Sequence, residues 1–152
     1  MTDEAVSRLT DHLGFWLRLV SNHVSHGFAR KLEGRGVTVA EWVVLRELYG
    51  AAPLPPSRLA DRMGMTRGAI SKLADRLIAK GLVRRADDPL DGRAHKLSLT
   101  DDGATLLPDL ARLADANDAE FFAGLTATER SVMEGALRRI VAEHGLKDVP
   151  VD

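Results

Sequence analysis

Leu54 to Gly103, LPPSRLADRMGMTRGAISKLADRLIAKGLVRRADDPLDGRAHKLSLTDDG, reads without a gap as helix, tight turn, helix, strand, charged loop, strand and helix start. Pro56 suits a first helical turn, where its missing N–H has no intrahelical partner, and Leu59, Ala60 and Met63 then share a face until Gly64. Thr66 is the N-cap of a second helix, in which Ala69, Ile70, Leu73, Ala74 and Leu77 recur at helical spacing up to Gly81. Leu82 to Ala86 and His95 to Leu99 read as strands, the second on its polar–apolar alternation from Lys96 to Leu99. Asp87 to Ala94, with Pro89 and Asp91-Gly92, reads as the projecting hairpin loop between them. Two short helices around a glycine turn followed by such a hairpin make a winged helix-turn-helix.

Charge gives that module a purpose. The chain has 152 residues, 45% of them hydrophobic, and a net charge of −1, which as an average argues against a nucleic-acid partner. The average conceals a partition: from Leu54 to Thr100 ten Lys/Arg face five acids, a net of +5, and the remainder carries −6. A basic module in an acidic frame concentrates attraction for phosphate on one face, so double-stranded DNA is the expected partner. Without cysteine, disulfides, thiolate metal ligands and thiol redox sensing are excluded within this sequence. No basic leader with an apolar core opens it and no run of 18 apolar residues occurs, so a cytoplasmic protein without a membrane partner is expected.

The frame is helical. Leu9, Leu13, Trp16, Leu17, Val20, Val24, Phe28 and Leu32 predict one long amphipathic helix ended by Gly34 and Gly36. Thr38 and Glu41 form a capping box for a helix carrying Trp42, Val43, Leu45, Leu48 and Tyr49, stopped at Gly50. Thr100 caps a helix that starts with Asp101 and Asp102, runs to about Ala123 and is expected to kink at Pro108. A second capping box, Thr126 with Glu129, opens a last helix with Val132, Met133, Ala136, Leu137, Ile140 and Val141 on one face, ended by Gly145. The expected fold class is mainly α (α+β): one unit over 1–152, with a winged helix-turn-helix lobe at 38–100 and a helical dimerisation lobe from 5–34 and 101–145. Each terminal helix carries a full apolar face that a short chain folding back once does not cover, so a homodimer is expected.

These residues resemble the MarR family of bacterial transcriptional regulators over roughly Leu9 to Val141. The carriers are MTRGAISKLADRLIAKGLVRR (65–85), DPLDGRAHKLSLTDDG (88–103) and EWVVLREL (41–48), and within them Asp91-Gly92-Arg93, Leu99-Thr100 and Gly103. The resemblance implies ligand-controlled DNA binding by this fold, often with an aromatic acid as effector. Gly92 departs from the family, which often has a second arginine there, so fewer wing contacts are expected.

On the second helix of the motif the residues left after the apolar face is assigned are Thr66, Arg67, Gly68, Ser71, Lys72, Asp75 and Arg76. Arg67 offers a bidentate fork to guanine and Ser71 a short donor to base or phosphate, while Gly68 permits close approach. Lys72 and Arg76 read as phosphate clamps; outside such a module they would be an ordinary solvated face. In the wing, Arg93 is expected in a minor groove with Asp91 holding it, against the plainer reading of a turn and a solubilising charge. His95 borders the wing, either touching phosphate or serving structure.

Trp16, Arg18, His23 and Trp42 have the aromatic and cationic character to bind a small aromatic or phenolic effector, although both tryptophans also suit plain core positions. His23 and His26 are three apart, but no third metal ligand stands at a recognised spacing. No metal, cofactor or catalysis is therefore expected, and no G-x-S-x-G, H-E-x-x-H or P-loop occurs. The expectation is a sequence-specific transcriptional regulator, a repressor acting as a homodimer on a palindromic operator and released by a small molecule. The alternatives are a winged helix used for protein contact and a metal-responsive regulator of the same fold.

Overall fold

In the computed structural model, residues 5–88 and 90–152 are described, without the side chains at 88 and 91–94. Among the described residues, eight regular elements follow one another after a short 3₁₀ turn at Leu9–Asp11: α1 (Leu13–Glu33), α2 (Val39–Leu48), α3 (Pro56–Met63), α4 (Arg67–Ala79), β1 (Val83–Asp88), β2 (Asp91–Leu99), α5 (Asp101–Phe122) and α6 (Ala127–Glu143). The mainly helical class with one two-stranded antiparallel sheet is as expected.

The caps explain why the helices start where they do. The Thr38, Thr66, Thr100 and Thr126 side chains each accept a hydrogen bond from the backbone N–H three residues on, satisfying an otherwise unpaired donor. Gly64 ends α3 at φ 63°, a left-handed conformation that costs glycine little, and the Met65 N–H returns to the Ala60 carbonyl. That turn aims α4 away from α3.

Several boundaries differ from the sequence reading. The first helix does not begin at Leu9: Asp11 accepts from the Arg8 N–H, closing a separate turn, and His12 is extended before α1 begins. Tyr49 lies beyond α2 as its extended C-cap and is exposed. The strands are longer than periodicity indicated and most of the expected loop is paired, from Val83 with Leu99 through Asp87 with His95 to Asp88 with Asp91, with an irregularity between Asp87 and Asp88. Leu82 stays outside the ladder. Leu54 adds a bridge that alternation did not reveal, exchanging hydrogen bonds of 3.0 and 2.7 Å with Leu97. α5 holds Pro108 within its span, as expected.

One core joins these elements. Leu32 of α1, Leu45 of α2, Leu59 of α3, Ile70 and Leu77 of α4, Leu97 of β2, and Leu107 and Leu110 of α5 are all buried. Each contributes on the order of 1.5–3 kcal/mol by leaving water. At Gly103 a Cβ would collide with the Leu82 carbonyl oxygen, so a glycine there lets the start of α5 close against the base of the wing. Thr100 ties the same corner by donating its hydroxyl to the Gly81 carbonyl at 2.6 Å.

The other ends are uncovered. Leu13, Trp16, Leu17 and Val20 on α1 are exposed, and so are Val132, Met133, Leu137, Ile140 and Val141 on α6. No residue of α6 is buried.

Candidate nucleic-acid interface

α4 divides cleanly. Ile70, Leu73, Ala74 and Leu77 are buried, while Thr66, Arg67, Gly68, Ser71, Lys72, Asp75 and Arg76 are exposed. The apolar stripe holds the helix to α2, α3 and the wing base, which leaves its polar stripe free to face a ligand. Among the described residues, Arg67, Lys72 and Arg76 take part in no ion pair, so three cations stand available. Nothing lies within 4 Å of a Cβ placed on Gly68, so no contact within the chain requires glycine there.

The neighbouring charges are engaged. Asp75 accepts from Arg85 of β1 at 3.0 Å, tying the wing to α4 and drawing one acid away from the cationic stripe. Arg84 Nε donates to Ser98 Oγ at 3.2 Å across the strands. His95 Nδ1 lies 3.0 Å from Asp87 Oδ1, and both are solvent-accessible, which gives His95 a wing-bracing role in addition to any phosphate contact. The Asp91 and Arg93 side chains lie outside the described residues, although the backbone at both belongs to β2.

Behind α4 sits an ion pair that the sequence reading missed. Glu41 is read correctly as the capping-box partner of Thr38, but its carboxylate is buried and also accepts from Lys80 at 2.7 Å. Lys80, just past α4, donates to the Gly36 carbonyl at 2.7 Å as well. Burial opposes the charge on Glu41, yet the hydrogen bonds from Lys80 and Thr38 prevail and hold its carboxyl below the usual value. The two residues are 39 positions apart, and no periodicity links them.

The tertiary arrangement does not gather Trp16, Arg18, His23 and Trp42. Trp42 packs edge-on against Phe28, with ring centroids 5.9 Å apart, and lines a crevice of about 380 Å³ with Val24, Val39 and Asn117. Trp16 lines a separate apolar groove of about 530 Å³ between α1 and α6. Arg18 borders a third hollow beside Leu9 and His12. His23 is exposed, as is His26, and among the described residues no three His, Cys, Asp or Glu side chains cluster to hold a metal ion. None of the described helices is long and apolar enough to cross a membrane.

The arrangement of reader helix, wing and flanking helices has close counterparts. Residues 35–94 match the model of the MarR family. A putative transcriptional regulatory protein for the hcr operon of Thauera aromatica is 31% identical over 133 residues, covering 87% of this chain and 80% of that protein. The chain belongs to the MarR family. The HTH-type transcriptional repressor MdtR of Bacillus subtilis is 29% identical, with 83% of this chain and 81% of that protein covered. Among solved structures, a cysteine-to-serine mutant of Escherichia coli MarR bound to operator DNA superposes with a TM-score of 0.77 at 25% identity, covering 90% of this chain and 99% of that one. PcaV of Streptomyces coelicolor, in complex with its natural ligand, gives 0.76 at 27% identity, covering 91% and 97%. The chain is thus a winged-helix transcriptional regulator of the MarR family, a group of DNA-binding proteins.

Proposed function

We propose that this MarR-family protein is a sequence-specific repressor that acts as a homodimer on a palindromic operator and releases it when a small aromatic acid binds. The observation that carries the DNA-reading part is the exposed polar stripe of α4, on which Arg67, Lys72 and Arg76 take part in no ion pair among the described residues while the opposite stripe is core. Arg67 and Ser71 in the first turns read base edges, with Gly68 admitting the duplex edge, and Lys72 and Arg76 grip phosphate. Arg93 is assigned to the minor groove beside them. The protein works by binding and release, without chemistry of its own, in the cytoplasm where the chromosome lies.

Dimerisation follows from the uncovered apolar faces of α1 and α6, which lie in the helical dimerisation lobe (5–34 and 101–145). A two-fold dimer places two reader helices on half-sites about one helical turn, roughly 10 bp, apart. The effector enters the crevice at Trp42, between α1, α2 and α5, where Val24, Phe28, Val39 and Val43 supply apolar wall and Ser25, Asn117, Asp118 and Asp152 the polar positions. Selection from a random DNA pool, followed by fluorescence anisotropy on the recovered sequence over a salt series, tests the reading. A palindrome bound with strong salt dependence is expected, and salt-independent affinity would overturn the phosphate grip. Release by phenolic acids with quenching of tryptophan emission tests the effector step, which a flat titration with unchanged operator affinity would refute.

A further inference from the structure

The segment after α6 does not trail into solvent. In Asp148-Val149-Pro150-Val151-Asp152 the two valines are half-buried and the residues between and beside them exposed, a period-two alternation like that of a strand laid on a surface. The surface it lies on belongs to the rest of the chain. The Val149 N–H points to the Met63 carbonyl at 3.4 Å, and Asp148 sits so close to Gly64 that a Cβ there would strike it. Both contacts are at the turn between α3 and α4. One residue on, Pro150 borders the crevice of Trp42 and the apolar groove along α1. Val151 packs on the core and, with Asp152, lines a second hollow of about 440 Å³ against Ala29 and Val37.

Resting on the regulator reading above, we propose that Lys147–Asp152 is a strap that couples the helical part of the protein to the reader. It leaves the end of α6, whose exposed face is the dimer surface, fastens at Asp148 and Val149 to the turn that aims α4, and goes on at Pro150 to border the Trp42 crevice. The segment therefore touches all three things a regulator must connect: assembly, effector crevice and reading head. A molecule entering the crevice meets Val149 and Pro150 as one wall, and displacing that wall pulls directly on Met63 and Gly64. The strap is a two-position element, seated or lifted, of the kind that can transmit a binding event without deforming a packed core.

Seated, it holds α4 at one orientation to α1. In a dimer that orientation sets the distance between the two reader helices, so lifting the strap spreads the distance and makes simultaneous engagement of both half-sites rarer. Two variants separate this from a segment merely resting on the surface: deletion of 147–152, and V151D, which puts a charge where a half-buried apolar side chain packs.

Hydrogen exchange on residues 146–152 of the intact protein reads the seating without DNA, and protection at Val149 that is lost in V151D is expected. Operator affinity, measured at fixed salt on selected DNA, is expected to fall roughly five- to tenfold in both variants. Discrimination between half-site spacings should weaken in parallel, with far-ultraviolet circular dichroism and dimer mass unchanged. Fast exchange throughout 146–152 in the intact protein overturns the proposal, and so does unchanged or tighter operator binding by the variants. An intact protein that selects no DNA at all defeats the regulator reading instead.

Discussion

Lys80 Nζ lies 2.7 Å from the buried carboxylate of Glu41 and 2.7 Å from the Gly36 carbonyl, so one ammonium ties the far end of the reader helix to the start of α2. The pair is lopsided: Glu41 is 1% exposed and Lys80 38%. Removing either partner therefore has unequal consequences. K80M strands a buried carboxylate and should cost about 2–3 kcal/mol, less than a fully buried pair because water still reaches the site. E41Q keeps a hydrogen-bonding side chain and leaves Lys80 to solvent, so about 1 kcal/mol is expected. Urea unfolding of the two variants checks the order.

The same pair sets an acid limit. The folded protein holds the Glu41 carboxyl below its ordinary value of 4.5, so the contribution is complete above that pH and is lost as pH falls through the lower folded value. Stability of the parent should decline below about pH 4.5 more steeply than that of E41Q. Denaturant midpoints at pH 6, 5, 4 and 3 would show the curves converging; parallel curves would remove Glu41 from the account.

Gly103 is a packing glycine. Its Cβ would collide with the Leu82 carbonyl, which is backbone and cannot rotate aside, so G103A must shift α5 from the wing base. A loss of about 1–3 kcal/mol is expected, against the slight gain that alanine gives in an open helix. Thermal unfolding measures it. Gly68, with nothing within 4 Å, supplies the control: G68A should leave stability nearly unchanged and weaken DNA binding.

On the reader helix, R67A should relax base choice at one position at a cost of about 1–3 kcal/mol. K72A should weaken all sequences alike and reduce the salt slope by about one. Competition between operator and scrambled duplexes at several salt concentrations separates the two. Equal losses on both duplexes for R67A would reassign it to phosphate.

The apolar faces of α1 and α6 predict assembly. V20E or L137E should shift the protein towards monomer, since each puts a charge on a face expected to bury about 1.5–3 kcal/mol per large side chain, twice in a two-fold dimer. Sedimentation at micromolar concentration reads the mass. A parent that sediments as a monomer would defeat the assignment.

Much of the site was legible because its signals are local. A threonine before a helix, a glycine after it and apolar residues at three- and four-residue steps act within one or two turns, so α2 to α4 and the polar stripe with Arg67, Ser71, Lys72 and Arg76 emerge from text alone. In the wing the strands outrun their sequence signal, because Asp87, Asp88 and Asp91 resemble loop whereas ladder pairing between β1 and β2 carries strand through them. The first helix starts later than its apolar period, which continues through His12, because the hydrogen bond from the Arg8 N–H to Asp11 closes a separate turn.

Periodicity and capping along the chain determined the element order and the winged-helix class, and the partition of charge determined the basic module. Tertiary structure alone decided which charges are spent and which are free. Asp75 meets Arg85 and Glu41 meets Lys80 across separate elements, and the segment at Val149 reaches a carbonyl at Met63. Such contacts depend on distances through space between residues far apart in sequence, and those distances exist only once the core has closed.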